Sequence, residues 1–255
     1  MKTEIYHTTL VSLPRPDWDA YLMAESGLPG PRGNLELAQA VAGLADAAQL
    51  TRWRALTPDL APVNSPQEFL AFCGVLGLGW AISGGEKAAA VPLQTLRAFA
   101  ADPRWRTREA VAMALQHWGV LDVGGLLAEL ESWAEGSPFE QRAAVAAICE
   151  PAVLERIEPG AAPLERKVFN ILDRITLSFA TAQDRRSAGW QALKKGLAYG
   201  WSVAVTGLPA EGRPRIERWF ASADPDVRRV MRENLQKARL ERLDAGWVKY
   251  WKEKV

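Results

Sequence analysis

The feature that most constrains the fold of this chain is a helix-start signal that recurs along it. Ser65-Pro66 and Ser137-Pro138 are each followed by a glutamate three residues after the serine, and Asp102-Pro103 and Asp224-Pro225 place an aspartate before the proline. The serine or aspartate oxygen accepts a backbone N–H at the helix start, and proline suits the first turn because it has no N–H to leave unpaired. The chain is therefore predicted to consist of many short helices.

Three segments that begin with these signals resemble one another, and a fourth resembles them less closely. Each places an arginine near a helix start and follows it with an apolar, mostly alanine-rich face; the segments are Asp102–Leu115, Ser137–Ile148, Asp224–Leu235 and, more weakly, Asp184–Leu193. Aligned on Arg108, Arg142, Arg186 and Arg228, they recur at intervals of 34, 44 and 42 residues. Intervals of this size are typical of stacked two-helix repeats.

The pattern Asp-Pro-x-Val-Arg before an apolar helix, clearest from Asp224 to Leu235, resembles the HEAT repeat. Residues 26–245 are similar to bacterial HEAT-repeat proteins of the HEAT/armadillo-like superfamily. The resemblance implies an all-α fold, a right-handed α-solenoid of about five to six repeats in one continuous domain. We assign residues 1–34 to a lead-in and loop, 35–245 to the solenoid and 246–255 to a basic aromatic tail.

Two local expectations accompany this assignment. Residues 3–13 are rich in β-branched and aromatic side chains, and we expect them to be extended. Gly119, Gly136 and Gly160 are expected to end helices, since glycine is common just after a helix C-terminus.

No motif for catalysis or metal binding stands out. His7 and His117 are the two histidines, neither beside a recognisable nucleophile motif, and Cys73 and Cys149 lack metal-ligand spacing. Gly84-Gly85-Glu86-Lys87 lacks the spacing and the hydroxyl residue of a phosphate loop and is predicted to be an interhelical loop. We therefore predict no enzymatic activity, no cofactor and no metal, with both thiols free, buried and unreactive.

Composition favours a cytoplasmic protein that makes no membrane contact. The longest uncharged stretch, residues 69–85, has 17 residues, fewer than the roughly 20 that cross a bilayer. The N-terminus shows no export signal, and two cysteines are too few for a disulfide framework. A formal net charge of +1 excludes a uniformly basic nucleic-acid coat.

The candidate binding residues are tryptophans and arginines close to the repeats. The eleven tryptophans either pack between helices or form an aromatic surface. Residues 213–255 carry twelve basic and seven acidic side chains, which either solubilise a terminal repeat or meet phosphates. We expect Arg108, Arg142 and Arg228 to be at least half buried and paired with an adjoining repeat. The predicted binding residues are Trp105, Arg108, Arg142, Trp190, Arg228 and Arg232.

We predict a non-enzymatic scaffold that binds a protein or peptide partner along the concave face of the solenoid. The alternative is a DNA-binding or DNA-repair module that resembles the HEAT-like alkylpurine DNA glycosylases, although no catalytic residue of that family can be matched here. A small-molecule-binding protein is a third class. A face with exposed tryptophan and clustered arginine would favour DNA. If Arg228, Arg232 and Arg239 lie on one continuous helix, their spacing of four and seven places them on one face.

Overall fold

The structure, a computed structural model, describes residues 2–255 except Gly84, Gly85 and Pro159, and for residues 86–90 it describes the backbone alone. The described residues form α-helices joined by short loops, and no strand occurs among them, which confirms the all-α prediction. The chain forms two compact units, Met1–Trp118 (unit 1) and Gly119–Val255 (unit 2), and the boundary between them falls within one long helix.

Unit 1 is organised around one central helix. Its elements are α1 (Lys2–Ser12), a short 3-10 turn (Arg15–Asp17), α2 (Trp18–Ala24), α3 (Leu35–Leu44), α4 (Ala47–Arg54), α5 (Pro66–Leu76), α6 (Leu78–Ser83), α7 (Glu86–Phe99) and α8 (Trp105–Leu121), which continues into unit 2. Helix α5 packs against α2, α3 and α4, and α1 packs on α3. Every residue of α5 from Glu68 to Leu76 is buried.

Unit 2 consists of helix pairs that stack in two layers. Its helices are α9 (Val123–Trp133), α10 (Pro138–Ile148), α11 (Pro151–Leu154), α12 (Ala162–Thr181), α13 (Ala188–Gly207), α14 (Pro209–Phe220), α15 (Pro225–Leu235), α16 (Ala238–Leu243) and α17 (Ala245–Lys252). Helices α9, α12 and α14 form one layer, and α10, α13 and α15 form the other, with each helix contacting the next in its layer. The pairs α9–α10, α12–α13 and α14–α15 connect the layers, and this is the stacking that two-helix repeats require.

The helix starts follow the predicted capping residues. Helix α10 begins after a complete capping box at Ser137, and the Asp224 side chain accepts two N–H groups at the start of α15. Ser65 caps α5, but Glu68 there accepts the N–H of Asn64 at 2.7 Å and no complete box forms. A capping side chain bonds to N–H groups within one helical turn, so its role can be predicted from the local sequence.

Tertiary packing overturns several local expectations. Residues 3–13 are not extended, because α1 packs on α3 and buries Leu10, and that burial outweighs their β-propensity. Gly119 lies inside α8 and does not end it; a Cβ there would lie 2.4 Å from Leu126. Helix α8 begins at Trp105, two residues after the predicted proline start. In the Gly84–Lys87 segment, both glycines lie outside the described residues.

Small residues allow close helix contact in unit 1. A Cβ on Gly79 would lie 2.6 Å from the carbonyl oxygen of Ala114, so α6 and α8 approach with no room for a side chain. A Cβ on Gly74 would lie 2.6 Å from the backbone nitrogen of Arg54, which brings α5 equally close to α4. Any larger side chain at either position requires the helices to separate.

Within the described residues, no helix combines the length and the hydropathy needed to cross a bilayer.

Candidate functional site

The repeat arginines Arg108 and Arg228 donate hydrogen bonds to backbone carbonyls in the loops that precede their own helices. Nη1 of Arg108 donates to the carbonyls of Asp102 and Pro103 at 2.6 and 3.1 Å. Nη1 of Arg228 donates to the carbonyls of Ser222 and Ala223 at 2.8 and 3.0 Å, at the same sequence offsets. Both side chains are partly buried. The two segments therefore share a structural device, in which these four hydrogen bonds reach the loop just before the helix.

Arg142 and Trp190 occupy different environments in the α10–α13 layer. Arg142 is partly buried on α10, and its Cγ would lie 3.6 Å from a Cβ at Gly196 of α13. Trp190 is 2 % exposed; its ring stacks on Phe179 at 4.4 Å, and its indole N–H donates to the carbonyl of the same residue. Burial places Trp190 in the core, where no ligand reaches its ring.

Arg185 connects two repeats, although the internal repeats were aligned on its neighbour Arg186. Its guanidinium donates to Asp224 at 2.6 Å and to Asp226 at 2.9 Å, and Lys194 also binds Asp226. The Lys194 hydrogen bond is the largest cause that lowers the pKa of Asp226, and Arg185 adds to it, while burial opposes both. This contact joins the loop before α13 to the start of α15. In the sequence, the two aspartates that flank Pro225 are the feature that could have indicated a basic partner at this position.

Two Arg-Trp dipeptides form a second recurring contact. Arg52 and Trp53, near the end of α4, both donate to the carboxylate of Asp19 on α2. Arg218 and Trp219, near the end of α14, both donate to Asp173 on α12. Many basic side chains of unit 2 lie in such ion pairs, including Lys167–Glu131, Arg174–Glu135, Arg213–Asp244 and Arg215–Asp173.

One group of cations in unit 2 differs from these pairs because it surrounds an exposed aromatic ring. We define the Tyr199 cluster as Lys195, Tyr199, Lys237 and Arg239. Tyr199 is 46 % exposed on α13, one turn after Lys195. Arg239 donates to the Tyr199 hydroxyl at 2.6 Å and lies 4.4 Å from the ring centroid, and the ammonium of Lys237 lies 5.9 Å from the same centroid. Cation–π attraction holds these charges over the ring.

The continuous basic stripe considered from sequence does not form. Helix α15 ends at Leu235 and α16 begins at Ala238, so Arg239 lies on a different helix from Arg228 and Arg232. Arg232 remains exposed on α15. The break brings Arg239 to Tyr199, forty residues earlier in the chain, and this contact could not be read from helical spacing.

Unit 1 contains an apolar pocket of about 230 Å³ beside Trp105. We call it the Trp105 pocket; its lining includes Leu28, Pro31, Phe69, Phe72, Trp105 and Arg106. Loop 26–34 forms one wall, α5 a second and the start of α8 a third. The loop is fixed by hydrogen bonds from Gly30 N to Asn64 Oδ1 at 3.0 Å and from Arg106 to the carbonyl of Gly30 at 2.7 Å.

A buried ion pair supports this pocket. Nη1 of Arg106 lies 3.1 Å from Oε2 of Glu68, and the two side chains are 8 % and 0 % exposed. The guanidinium carbon of Arg106 lies 4.4 Å from the centroid of the Trp105 ring. Arg106 Nε and Glu68 Oε1 are buried without a hydrogen-bond partner among the described residues.

The tryptophans mainly pack inside the units. Trp18, Trp53, Trp118, Trp133, Trp190 and Trp201 are buried, and Trp105, at 47 %, is the exposed tryptophan of the described chain. His117 stacks on Trp80 with ring centroids 3.6 Å apart, and burial lowers the pKa of this imidazole. Both observations indicate that these tryptophan rings pack between helices and do not form a surface on which bases could stack.

The two cysteines are free and buried, as predicted. Burial raises the pKa of both thiols, and the charge of Arg239 partly opposes this at Cys149. In the part of the chain that the structure describes, no group of three or more His, Cys, Asp or Glu side chains is placed to hold a metal ion.

Comparison with known proteins adds little to this description. No family model matches the chain, and no curated protein is similar to it. Among solved structures, a designed armadillo repeat protein is 16% identical and is matched over 84% of this chain and 98% of that one, with a TM-score of 0.28. The helices of this chain and their packing define its fold.

Proposed function

We propose that this chain is a non-enzymatic repeat scaffold that binds an acidic segment of a protein partner on the Tyr199 cluster. The observation that carries the proposal is the charge imbalance of the cluster. Lys195, Lys237 and Arg239 have no carboxylate partner among the described residues, whereas many basic side chains of unit 2 are paired. Unpaired cations on a rigid layer of helices create a local positive potential that attracts carboxylates.

The aromatic ring supplies the second part of the recognition surface. Tyrosine and arginine are enriched in protein interfaces because each offers contact area and hydrogen-bonding groups on one side chain. Arg239 holds the Tyr199 hydroxyl at 2.6 Å, which orients the ring. A peptide that lies along α13 can therefore place apolar groups on the ring and carboxylates beside Lys195 and Lys237.

The DNA-binding alternative has less support than a protein partner. Nucleic-acid surfaces carry a long basic stripe that follows the phosphates. Here the predicted stripe is interrupted between α15 and α16, and Arg228 is engaged by loop carbonyls. The exposed aromatic residue of this surface is a tyrosine, and Trp190 is buried.

Fluorescence anisotropy with labelled oligoglutamate tests the proposal, with oligolysine and a short DNA duplex as competing probes. We expect binding of oligoglutamate that weakens as salt rises, since exposed charges are screened. The double variant Lys195→Gln/Arg239→Gln removes two contacts of about 0.5–1 kcal/mol each, which predicts a loss of about 5- to 30-fold in affinity. Lys249→Gln, at an exposed lysine on α17, is the matched control and should leave affinity unchanged.

Two results contradict the proposal. If the double variant binds oligoglutamate as tightly as the native chain, the cluster is not the binding surface. If the duplex binds more tightly than oligoglutamate, and the double variant loses that binding, the surface serves nucleic acid.

A further inference from the structure

A cleft of about 410 Å³ lies on unit 1 at the turn that joins α1 to α2, and it shares no lining residue with the Trp105 pocket. We call it the Arg15 cleft. Most of its lining is apolar and comes from the end of α1, the turn and the end of α3; it includes Leu10, Val11, Leu13, Trp18 and Leu44. Among the described residues that line it, Arg15 is the one that carries a charge.

Three contacts hold the Arg15 guanidinium in place. Nη1 donates to Gln49 Oε1 at 2.7 Å, and Nη2 donates to the carbonyl of Leu44 at 2.9 Å. The guanidinium carbon lies 4.0 Å from the centroid of the Trp18 ring. The side chain is exposed, and a guanidinium has further N–H donors beyond these two, so a ligand in solvent can reach them. Because the side chain is already ordered, binding loses little affinity to ordering it.

No carboxylate neutralises Arg15 in the part of the chain that the structure describes. Its contacts are with an amide, a backbone carbonyl and an indole ring, none of which carries a charge. Asp46, at the start of α4, uses its carboxylate to cap that helix through the N–H of Gln49 at 2.8 Å. Arg52 of the same unit differs, because it is paired with Asp19. Arg15 therefore presents an uncompensated positive charge beside an apolar wall.

The position of this charge determines which anion fits. One cation balances one carboxylate, whereas a phosphate group carries up to about two negative charges at neutral pH. Because Arg15 contacts both Trp18 and Leu44 of the lining, the carboxylate and the apolar group of a ligand have to lie close together. The α-carboxylate and the side chain of a terminal apolar residue share one carbon atom. An internal aspartate or glutamate carries its carboxylate on a different side chain from any apolar group.

Val11 favours a peptide over a small free acid. It lines the cleft and is 65 % exposed, although it is apolar. A small acid that fills the space beside Arg15 leaves Val11 in water, whereas the residues that precede a terminal residue can cover it. Burial of this apolar surface strengthens binding.

We propose that the Arg15 cleft binds the carboxyl terminus of a partner protein whose last residue is compact and apolar, such as leucine. The terminal carboxylate accepts N–H groups of Arg15, and the apolar side chain packs against Leu13 and Leu44. The preceding residue of the partner covers Val11. This site does not rest on the Tyr199 cluster, which belongs to unit 2.

Fluorescence anisotropy on the full chain tests the proposal with a dye-labelled Gly-Ser-Gly-Ala-Leu peptide that ends in a free carboxylate. The same peptide with a C-terminal amide and the small acid 4-methylpentanoate, as a competitor, are the comparison probes. We expect saturable binding of the free-acid peptide that weakens as salt rises. The amide should bind about 10- to 150-fold more weakly, because it lacks the charge that hydrogen-bonds to Arg15. The small acid should bind more weakly than the peptide.

Two variants of α1 form a matched pair. Val11 and Ile5 are both 65 % exposed on this helix, but Val11 lines the cleft and Ile5 does not. Val11→Glu places a carboxylate beside Arg15, where it competes with the ligand and removes an apolar contact. It should weaken binding of the free-acid peptide at least about 5-fold, and Ile5→Glu should leave it unchanged. Arg15→Gln should bring the free-acid and amide peptides to equal affinity.

The proposal is overturned if the free-acid peptide does not bind saturably, if the amide binds as tightly, or if Val11→Glu and Ile5→Glu behave alike. Binding of 4-methylpentanoate as tightly as the peptide would overturn the assignment to a protein terminus. The double variant Lys195→Gln/Arg239→Gln should bind the peptide as the native chain does, and a loss there would move the peptide to the Tyr199 cluster. If Arg15→Gln does not fold, the matched pair still decides, because both of its positions are exposed.

Discussion

Glu68→Gln should destabilise unit 1 by about 3–5 kcal/mol, the cost of removing one member of a buried ion pair. Glu68 is fully buried, and its Oε2 lies 3.1 Å from Arg106 Nη1 and accepts the Asn64 N–H at 2.7 Å. Glutamine keeps the size of the side chain and one oxygen acceptor, so the main loss is the negative charge. The guanidinium of Arg106, whose side chain is 8 % exposed, then remains buried without a counter-ion.

The free energy of unfolding is measured by urea titration, followed by far-ultraviolet circular dichroism. Glu36→Gln is the matched control, since Glu36 pairs with Arg32 at 3.5 Å but their side chains are 40 % and 68 % exposed. An exposed pair contributes about 0.2–1 kcal/mol, so the control should change stability little. A double variant that adds Arg106→Met completes a thermodynamic cycle, with an expected coupling energy of about 0.5–3 kcal/mol.

Equal effects of Glu68→Gln and Glu36→Gln would refute the reasoning, because the Glu68–Arg106 contact would then behave as a solvated pair. A coupling energy near zero in the cycle would refute it independently, because the two side chains would contribute separately.

Two further predictions concern the thiols and an aspartate. Cys73 and Cys149, 0% and 4% exposed with pKa values raised by burial, should react with Ellman's reagent only slowly in the native protein and fully in urea; rapid labelling of the native chain would contradict this. The pKa of Asp19 is lowered chiefly by its hydrogen bond with Arg52, with a further contribution from Trp53 against the opposing effect of burial. Its stabilising effect is therefore present above the ordinary carboxyl pKa and lost as pH falls through the lowered one. Asp19→Asn should make the free energy of unfolding fall less steeply as the pH is lowered into the acid range. An unchanged pH dependence would show that the Asp19–Arg52 contact does not contribute to acid sensitivity.

The sequence determined the helical class of this protein and the starts of three of its helices, α5, α10 and α15. Ser137 and Asp224 cap the helices that follow them, and both act on N–H groups two or three residues away. Signals of this range need no tertiary information. The burial of both cysteines followed in the same way from the apolar helical runs around them.

Tertiary structure alone decided which side chains are available to a ligand. Helical spacing gave no reason to bury Trp190, to extend α8 through Gly119 or to fold residues 3–13 as a helix. Each outcome depends on a neighbouring element that covers the residue. Local propensity is weak compared with the burial of an apolar face, so it yields when the two disagree.

The two candidate sites show the same division. Arg239 meets Tyr199 across 40 residues, and Arg106 meets Glu68 and Gly30 across 38 and 76 residues. Sequence identified Trp105 as a candidate because it lies near a repeat start, but it could not show that Arg106, beside it, meets these distant partners. The capping residues in the sequence determine where helices begin. The packing of one helix on another determines which charged side chains have an oppositely charged partner and which do not.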